Sequence, residues 1–167
     1  MIFVSVGTEA YPFNRLLKEI GQLAGDGIIT GKVFCQTGSS SVKLLNCDYQ
    51  PLLTPGRMQE YFSKADIIIV HAGICIMEAL NLGKIPIVVP RRKHFGEAVD
   101  DHQLFFAQRL AENRQIVLVE NIDDLKSKII NYNLEIKKLV HPRDSRQKTL
   151  DFSRKIEQIC EELLRRN

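Results

Sequence analysis

The sequence predicts an α/β domain: a parallel sheet with helices on both faces. Three observations carry that expectation. Short β-branched apolar runs alternate along the chain with longer segments whose apolar residues recur at helical spacing. One run, Ile67-Ile68-Ile69-Val70, is apolar without a break, which suits a central parallel strand covered on both faces. Several runs end at glycine or at small polar residues, as the turns of βαβ units do.

In chain order, Ile2 to Val6 reads as a strand closed by Gly7-Thr8. Phe13, Leu16, Leu17, Ile20 and Leu23 follow at helical spacing. Lys32 to Gln36 is a second strand ending at Thr37-Gly38, and a weaker one spans Asn46 to Leu52. Met58, Tyr61 and Phe62 mark a short helix after Pro55. The run from Ile67 to Val70 is bounded by Asp66 and by His71-Ala72-Gly73. Met77 to Leu82 is a helix stopped by Gly83, and Pro86 to Val89 a strand stopped by Pro90. A helix from about Asp100 to Glu112, a strand from Ile116 to Val119 and a helix marked by Ile122, Leu125, Ile129 and Ile130 complete a domain over 1–130. The polar stretch 131–143, ending in His141-Pro142, reads as a linker. Residues 144–167 read as an amphipathic helix whose stripe of Phe152, Ile156, Ile159, Cys160 and Leu163 packs on the domain or on a partner.

Composition narrows the function. At 167 residues the chain is long enough to bury one core without covalent staples. Its 44% hydrophobic and 26% charged residues are ordinary for a globular domain. A net charge of +3, without a basic stripe or reading motif, argues against a nucleic-acid binder. Cys35, Cys47, Cys75 and Cys160 show no metal-ligand spacing and read as free thiols in a reducing compartment. The apolar opening lacks the basic start of a signal peptide and is too short to cross a bilayer, so a cytoplasmic location is expected.

In a parallel sheet, ligands bind beyond the carboxyl ends of the strands, where the strand order reverses. The segments there are Gly7-Thr8-Glu9, Gln36-Thr37-Gly38-Ser39, His71-Ala72-Gly73 and Pro90-Arg91-Arg92-Lys93. All are small, polar or cationic, which suits a phosphate-bearing ligand. Glycine turns admit backbone N–H groups to an anion, and the helix that follows adds partial positive charge. Neither GxGxxG nor GxxxxGK[ST] is present, which disfavours the two common nucleotide motifs. Glu78 falls one to two turns into the helix after His71, where a carboxylate can accept both hydroxyls of a ribose. His71, at a strand end beside a glycine, is placed to bond a phosphate oxygen.

Together with Gly83-Lys84-Ile85-Pro86 and Asp101-His102-Gln103, these residues resemble the C-terminal domain of family-28 glycosyltransferases. The likeness is greatest to the small stand-alone members, among them the catalytic subunit of a dolichol-linked N-acetylglucosaminyltransferase and subunits of bacterial capsule and exopolysaccharide transferases. The most specific stretch runs from Glu78 to Lys84, with Val88-Val89-Pro90-Arg91-Arg92-Lys93 and Phe95-Gly96-Glu97. The resemblance implies a Rossmann-like fold, the C-terminal half of a GT-B architecture. It implies a UDP-sugar donor, a lipid-linked acceptor and a membrane-anchored partner chain that binds the acceptor and brings this chain to the cytoplasmic face of a membrane. The diphosphate would lie near Gly7, Thr8, His71, Ala72 and Gly73, the nucleoside against Glu78, and His102 and Gln103 near sugar and ribose. Gln36, Thr37 and Gly38 would face the same cleft. Arg91, Arg92 and Lys93 are candidate phosphate or acceptor contacts.

One departure stands out. Family members read His-Ala-Gly-x-Gly-Ser before two residues and the glutamate, whereas here His71-Ala72-Gly73-Ile74-Cys75-Ile76-Met77-Glu78 is one residue shorter. Cys75 takes the place of the serine, and a thiol is a poorer donor. A non-catalytic binding or enhancer subunit of the same fold is therefore the alternative expectation. No Asp-x-Asp is present, so neither metal nor cofactor is expected, and the general base is not assigned.

Overall fold

The computed structural model of the protein describes residues 1–140. Among them, six strands form one sheet: β1 (Ile2–Ser5), β2 (Val33–Gln36), β3 (Asp48–Gln50), β4 (Ile67–Val70), β5 (Ile87–Val88) and β6 (Val117–Leu118). Every pairing is parallel, and the order is β3-β2-β1-β4-β5-β6. The chain builds outward from β1 to β3, then returns to the middle and builds the other way. The order therefore reverses between β1 and β4.

Alternation along the strands sorts the side chains into two cores. Ile2, Val4, Cys35, Ile69 and Ile87 point to one face, against α1 (Asn14–Gly25), α5 (Leu125–Ile130) and α6 (Tyr132–Ile136). Phe3, Phe34, Ile68, Val70 and Val88 point to the other, against α2 (Pro55–Lys64), α3 (Cys75–Asn81) and α4 (His102–Glu112). The first face buries Leu16, Leu17, Ile20 and Leu23 of α1, the stripe that helical spacing requires. On the second face Tyr61 stacks on Phe34 at 4.0 Å between ring centroids, and Phe62 meets Phe3 edge-on at 5.3 Å. Helix α2 starts where Thr54 accepts the Arg57 N–H at 3.4 Å, with Pro55 in its first turn.

Three expectations about elements change. The strand around Asp48 is only three residues long and wholly exposed, because it sits at the sheet edge with one partner. Helix α3 begins at Cys75, two residues before the expected start. The stretch from 131, expected as linker, instead begins with α6. Tyr132 is buried there, and its hydroxyl donates to the Ile85 carbonyl at 2.6 Å. The expected helix over 144–167 lies outside the described residues. Among those described, no helix is long and apolar enough to cross a membrane, and Cys35, Cys47 and Cys75 are free thiols.

Candidate functional site

Register decides what meets at the reversal point. Ser5 lies opposite both Gln36 and Val70, so Gly7, Thr37-Gly38 and His71 emerge side by side from three neighbouring strands. Gln36 is 2% exposed, and its amide is fully used within the fold. Its Oε1 accepts from the Ser5 hydroxyl (2.8 Å) and the Gly7 N–H (3.1 Å). Its Nε2 donates to the carbonyls of Gly7 (3.0 Å) and Pro51 (2.8 Å). Gly38 packs so closely behind Gly7 that a Cβ would stand 2.3 Å from the Gly7 oxygen. Gln36, Thr37 and Gly38 were expected to face the cleft. They spend their hydrogen bonds within the fold instead: the Gln36 amide has four internal partners, and the N–H groups of Thr37 and Gly38 donate to the carbonyls of Gln50 (3.0 Å) and Pro51 (2.9 Å).

His71 occupies the centre. Its ring lies between Gly7 and Gly73, where a Cβ would come within 2.6 Å and 2.3 Å of ring atoms respectively. Gly7 also has φ of +81°, which disfavours any other residue. The ring is 6% exposed, and its Nδ1 has no partner among the described residues. Burial, and next the charge of Arg91, push its pKa below the ordinary histidine value, so the imidazole is neutral at pH 7. Ala72 is buried and Gly73 half-buried, while Ile74 stands 72% exposed at the tip of the turn. Thr8 is exposed at the rim.

Cys75 does not present its thiol to the crevice. The side chain is buried beneath α3, with Sγ 3.8 Å from the Ser5 hydroxyl, and burial raises the thiol pKa. The inward turn of Cys75, which was expected to stand in for a phosphate-facing serine, is set by where the helix begins. As the first residue of α3, Cys75 turns toward the sheet while Ile74 takes the outward position.

Beside this crevice, α2 and α3 enclose an open cavity of about 510 Å³, walled by Leu53, Pro55, Met58, Phe62 and Leu82. Glu78, exposed in the first turn of α3, stands at its edge. The walls are tied together by Gly83-Lys84. Gly83, at φ +74°, ends α3 with N–H bonds from Gly83 to Leu80 and from Lys84 to Ala79. The Lys84 ammonium then reaches back to the end of α2, to the carbonyls of Phe62 (2.8 Å), Ser63 (2.5 Å) and the capping residue Ala65 (2.6 Å).

On the other side of His71, the loop after β5 is locked to the loop after β1. Arg91 is 1% exposed. Its guanidinium donates to the carbonyls of Val6 (2.6 Å), Tyr11 (2.6 Å) and Glu97 (3.1 Å) and lies 4.9 Å from the Phe13 ring centroid. Arg91, expected as a phosphate or acceptor contact, is thus a buried strut, and a ligand does not reach it. Arg15 grips Glu97 with two bonds of 3.0 and 2.9 Å, and Glu97 also accepts the Arg92 N–H at 3.1 Å. Of the expected cationic cluster, Arg92 is half-buried near Asp101 and Lys93 is exposed. Gln103 is buried. Its Oε1 accepts the Arg91 N–H (3.3 Å), and its Nε2 donates to Glu9 (2.9 Å). His102 is exposed, its ring against the Asp100 carboxylate.

The Arg15–Glu97 pair and the cavity lining are not legible in the sequence. Eighty-two positions separate the two partners of the pair, and no local pattern announces such a match. In the sequence Glu9 is marked only by its place in a strand-end turn.

The strand order and the crevice define the class of protein: a Rossmann-like α/β domain with a ligand crevice where the strand order reverses. Residues 1–159 match the glycosyltransferase family 28 C-terminal domain, and the chain belongs to that family. Among solved structures, it is similar to the glycosyltransferase SnogD from Streptomyces nogalater, with 14% identity and a TM-score of 0.46. That match covers 90% of this chain and 43% of SnogD, so the chain spans less than half of its length. No curated protein matches the chain.

Proposed function

We propose that this chain binds a UDP-sugar at the carboxyl edge of its sheet and passes the sugar to a lipid-linked acceptor held by a membrane-anchored partner chain. The observation that carries the reading is the juxtaposition of the α2–α3 cavity, rimmed by Glu78, with the glycine-lined crevice at His71. The apolar walls suit a flat base, and Glu78 suits the two ribose hydroxyls. The neutral His71 and the glycine turns suit a diphosphate, whose leaving charge is met by backbone N–H groups and dipoles. Family membership supports glycosyl transfer. The lipid-linked acceptor and the partner come from the resemblance to the small two-chain transferases.

A second reading, a non-catalytic binding subunit, is favoured by one observation: the turn after β4 carries no serine or threonine, and its one polar side chain beyond His71, the Cys75 thiol, faces inward. Calorimetry with UDP separates the two. Binding at submillimolar UDP, with sugar transfer appearing only on co-expression with a membrane-anchored partner, fits the first. Undetectable binding at millimolar UDP sinks it.

A further inference from the structure

Glu9 is a carboxylate with no assigned task in an unexpected place. It stands two residues beyond Gly7, half-buried, and forms no ion pair among the described residues. Its position is nonetheless set from both ends. Ser39 Oγ donates to its backbone carbonyl at 2.7 Å. Its Oε1 accepts from Gln103 Nε2 at 2.9 Å. The Gln103 amide cannot turn over, because its own oxygen is taken by the Arg91 N–H. One carboxylate oxygen is held, and the other makes no hydrogen bond among the described residues. Glu9 also acts electrostatically on His71 and on Arg91, raising both pKa values against the lowering effect of burial. Through Gln103 its carboxylate is joined to the Arg91 backbone, on the α4 side of the crevice.

Such a residue is ill suited to a diphosphate, which it repels, and well suited to hydroxyl groups, which it accepts. Along the sheet edge the order of chemistry is then plain. Glu78 lies on the α2 side of the His71 turn, glycines and a neutral imidazole lie in the middle, and Glu9 lies on the α4 side with Gln103. A nucleotide sugar has the matching pattern: a ribose diol, a diphosphate and a second polyol. We infer that Glu9 contacts the hydroxyls of the transferred sugar, with Gln103 as its positioning residue, and that it restricts the donor to neutral hexoses against uronates. The inference rests on the nucleotide-sugar reading above and deepens it.

The test is calorimetry of the full chain and of Glu9→Gln with UDP, UDP-glucose, UDP-galactose, UDP-N-acetylglucosamine and UDP-glucuronate. The substitution is isosteric and keeps an oxygen for Gln103, so a matching thermal melt is expected. UDP should bind both proteins equally. At least one neutral UDP-hexose should bind the wild type more tightly than UDP does and lose that gain, several-fold, in Glu9→Gln. UDP-glucuronate should bind the wild type at least about tenfold more weakly than that hexose, and the gap should narrow in the variant. Equal hexose affinity for both proteins, or tighter UDP binding by Glu9→Gln, overturns the inference. The second result means that the carboxylate faces the diphosphate. In either case the nucleotide site itself stands, whereas failure of UDP to bind the wild type removes site and inference together.

Discussion

The two flanks of the His71 crevice are built from the same kinds of residue and use them in opposite ways. On the flank of β1, β2 and the loop after β5, Gln36, Arg91, Glu97 and Gln103 are buried, and they spend their hydrogen bonds on the loops around them. On the flank of α2 and α3, Glu78 stands exposed at the edge of an open cavity. A polar residue after a strand can thus be a strut or a contact. What separates them is whether the neighbouring loops already supply its partners, because a buried polar group without partners is costly.

The sharpest break of that comparison is at Arg91. Arg91→Met should leave the carbonyls of Val6, Tyr11 and Glu97 without their donor. The expected cost is about 3 kcal/mol in urea unfolding. Arg91→Lys should recover only part of it, since one ammonium cannot reproduce a planar fork. Unchanged stability in Arg91→Met would mean that this residue is a free ligand contact after all.

Next in size is Gly7→Ala, which combines a positive φ with a Cβ placed 2.6 Å from the His71 ring. It should cost about 2 kcal/mol of stability and displace the imidazole, weakening UDP binding as well. A variant that is destabilised yet binds UDP normally would separate the glycine from the ligand.

Glu78→Ala is the counterpart on the open flank. It should weaken UDP about tenfold or more by removing a charge-assisted contact worth roughly 1.5–3 kcal/mol. Unfolding should stay within about 0.5 kcal/mol of wild type, because the side chain is exposed. Equal UDP affinity would remove the ribose assignment.

His71 gives a pH signature. Its folded pKa lies below the ordinary value near 6.5. As pH falls below about 6.5, the unfolded chain takes up a proton that the folded ring resists, so stability declines until the lowered folded pKa is passed. Urea midpoints from pH 7.5 to 5.5 should therefore fall more steeply for wild type than for His71→Gln. Parallel curves would show that the ring is solvated.

The smallest effect is expected for Cys75→Ser. With the thiol turned to Ser5, a hydroxyl finds the same neighbour. The change should cost about 1 kcal/mol or less and leave UDP affinity unaltered. A clear gain in UDP affinity would put position 75 back in the crevice.

What the sequence determined by itself was the parallel α/β fold, the alternation of its elements and the strand-end turns. Apolar periodicity and glycine placement are local signals, and they suffice for those features. They placed Ile67–Val70 at the centre of the sheet and marked Glu78 on the helix after it. The division of the marked residues into struts and contacts was not legible, since it depends on partners far away along the chain: Arg91 with Val6, Gln103 with Glu9, Arg15 with Glu97. Nor did periodicity place the first turn of α3, where a start two residues early turns Cys75 inward and Ile74 out. Only the tertiary structure decided these. A side chain's hydrogen-bond capacity is its own, but which groups consume it is settled by the loops that the sheet order brings together.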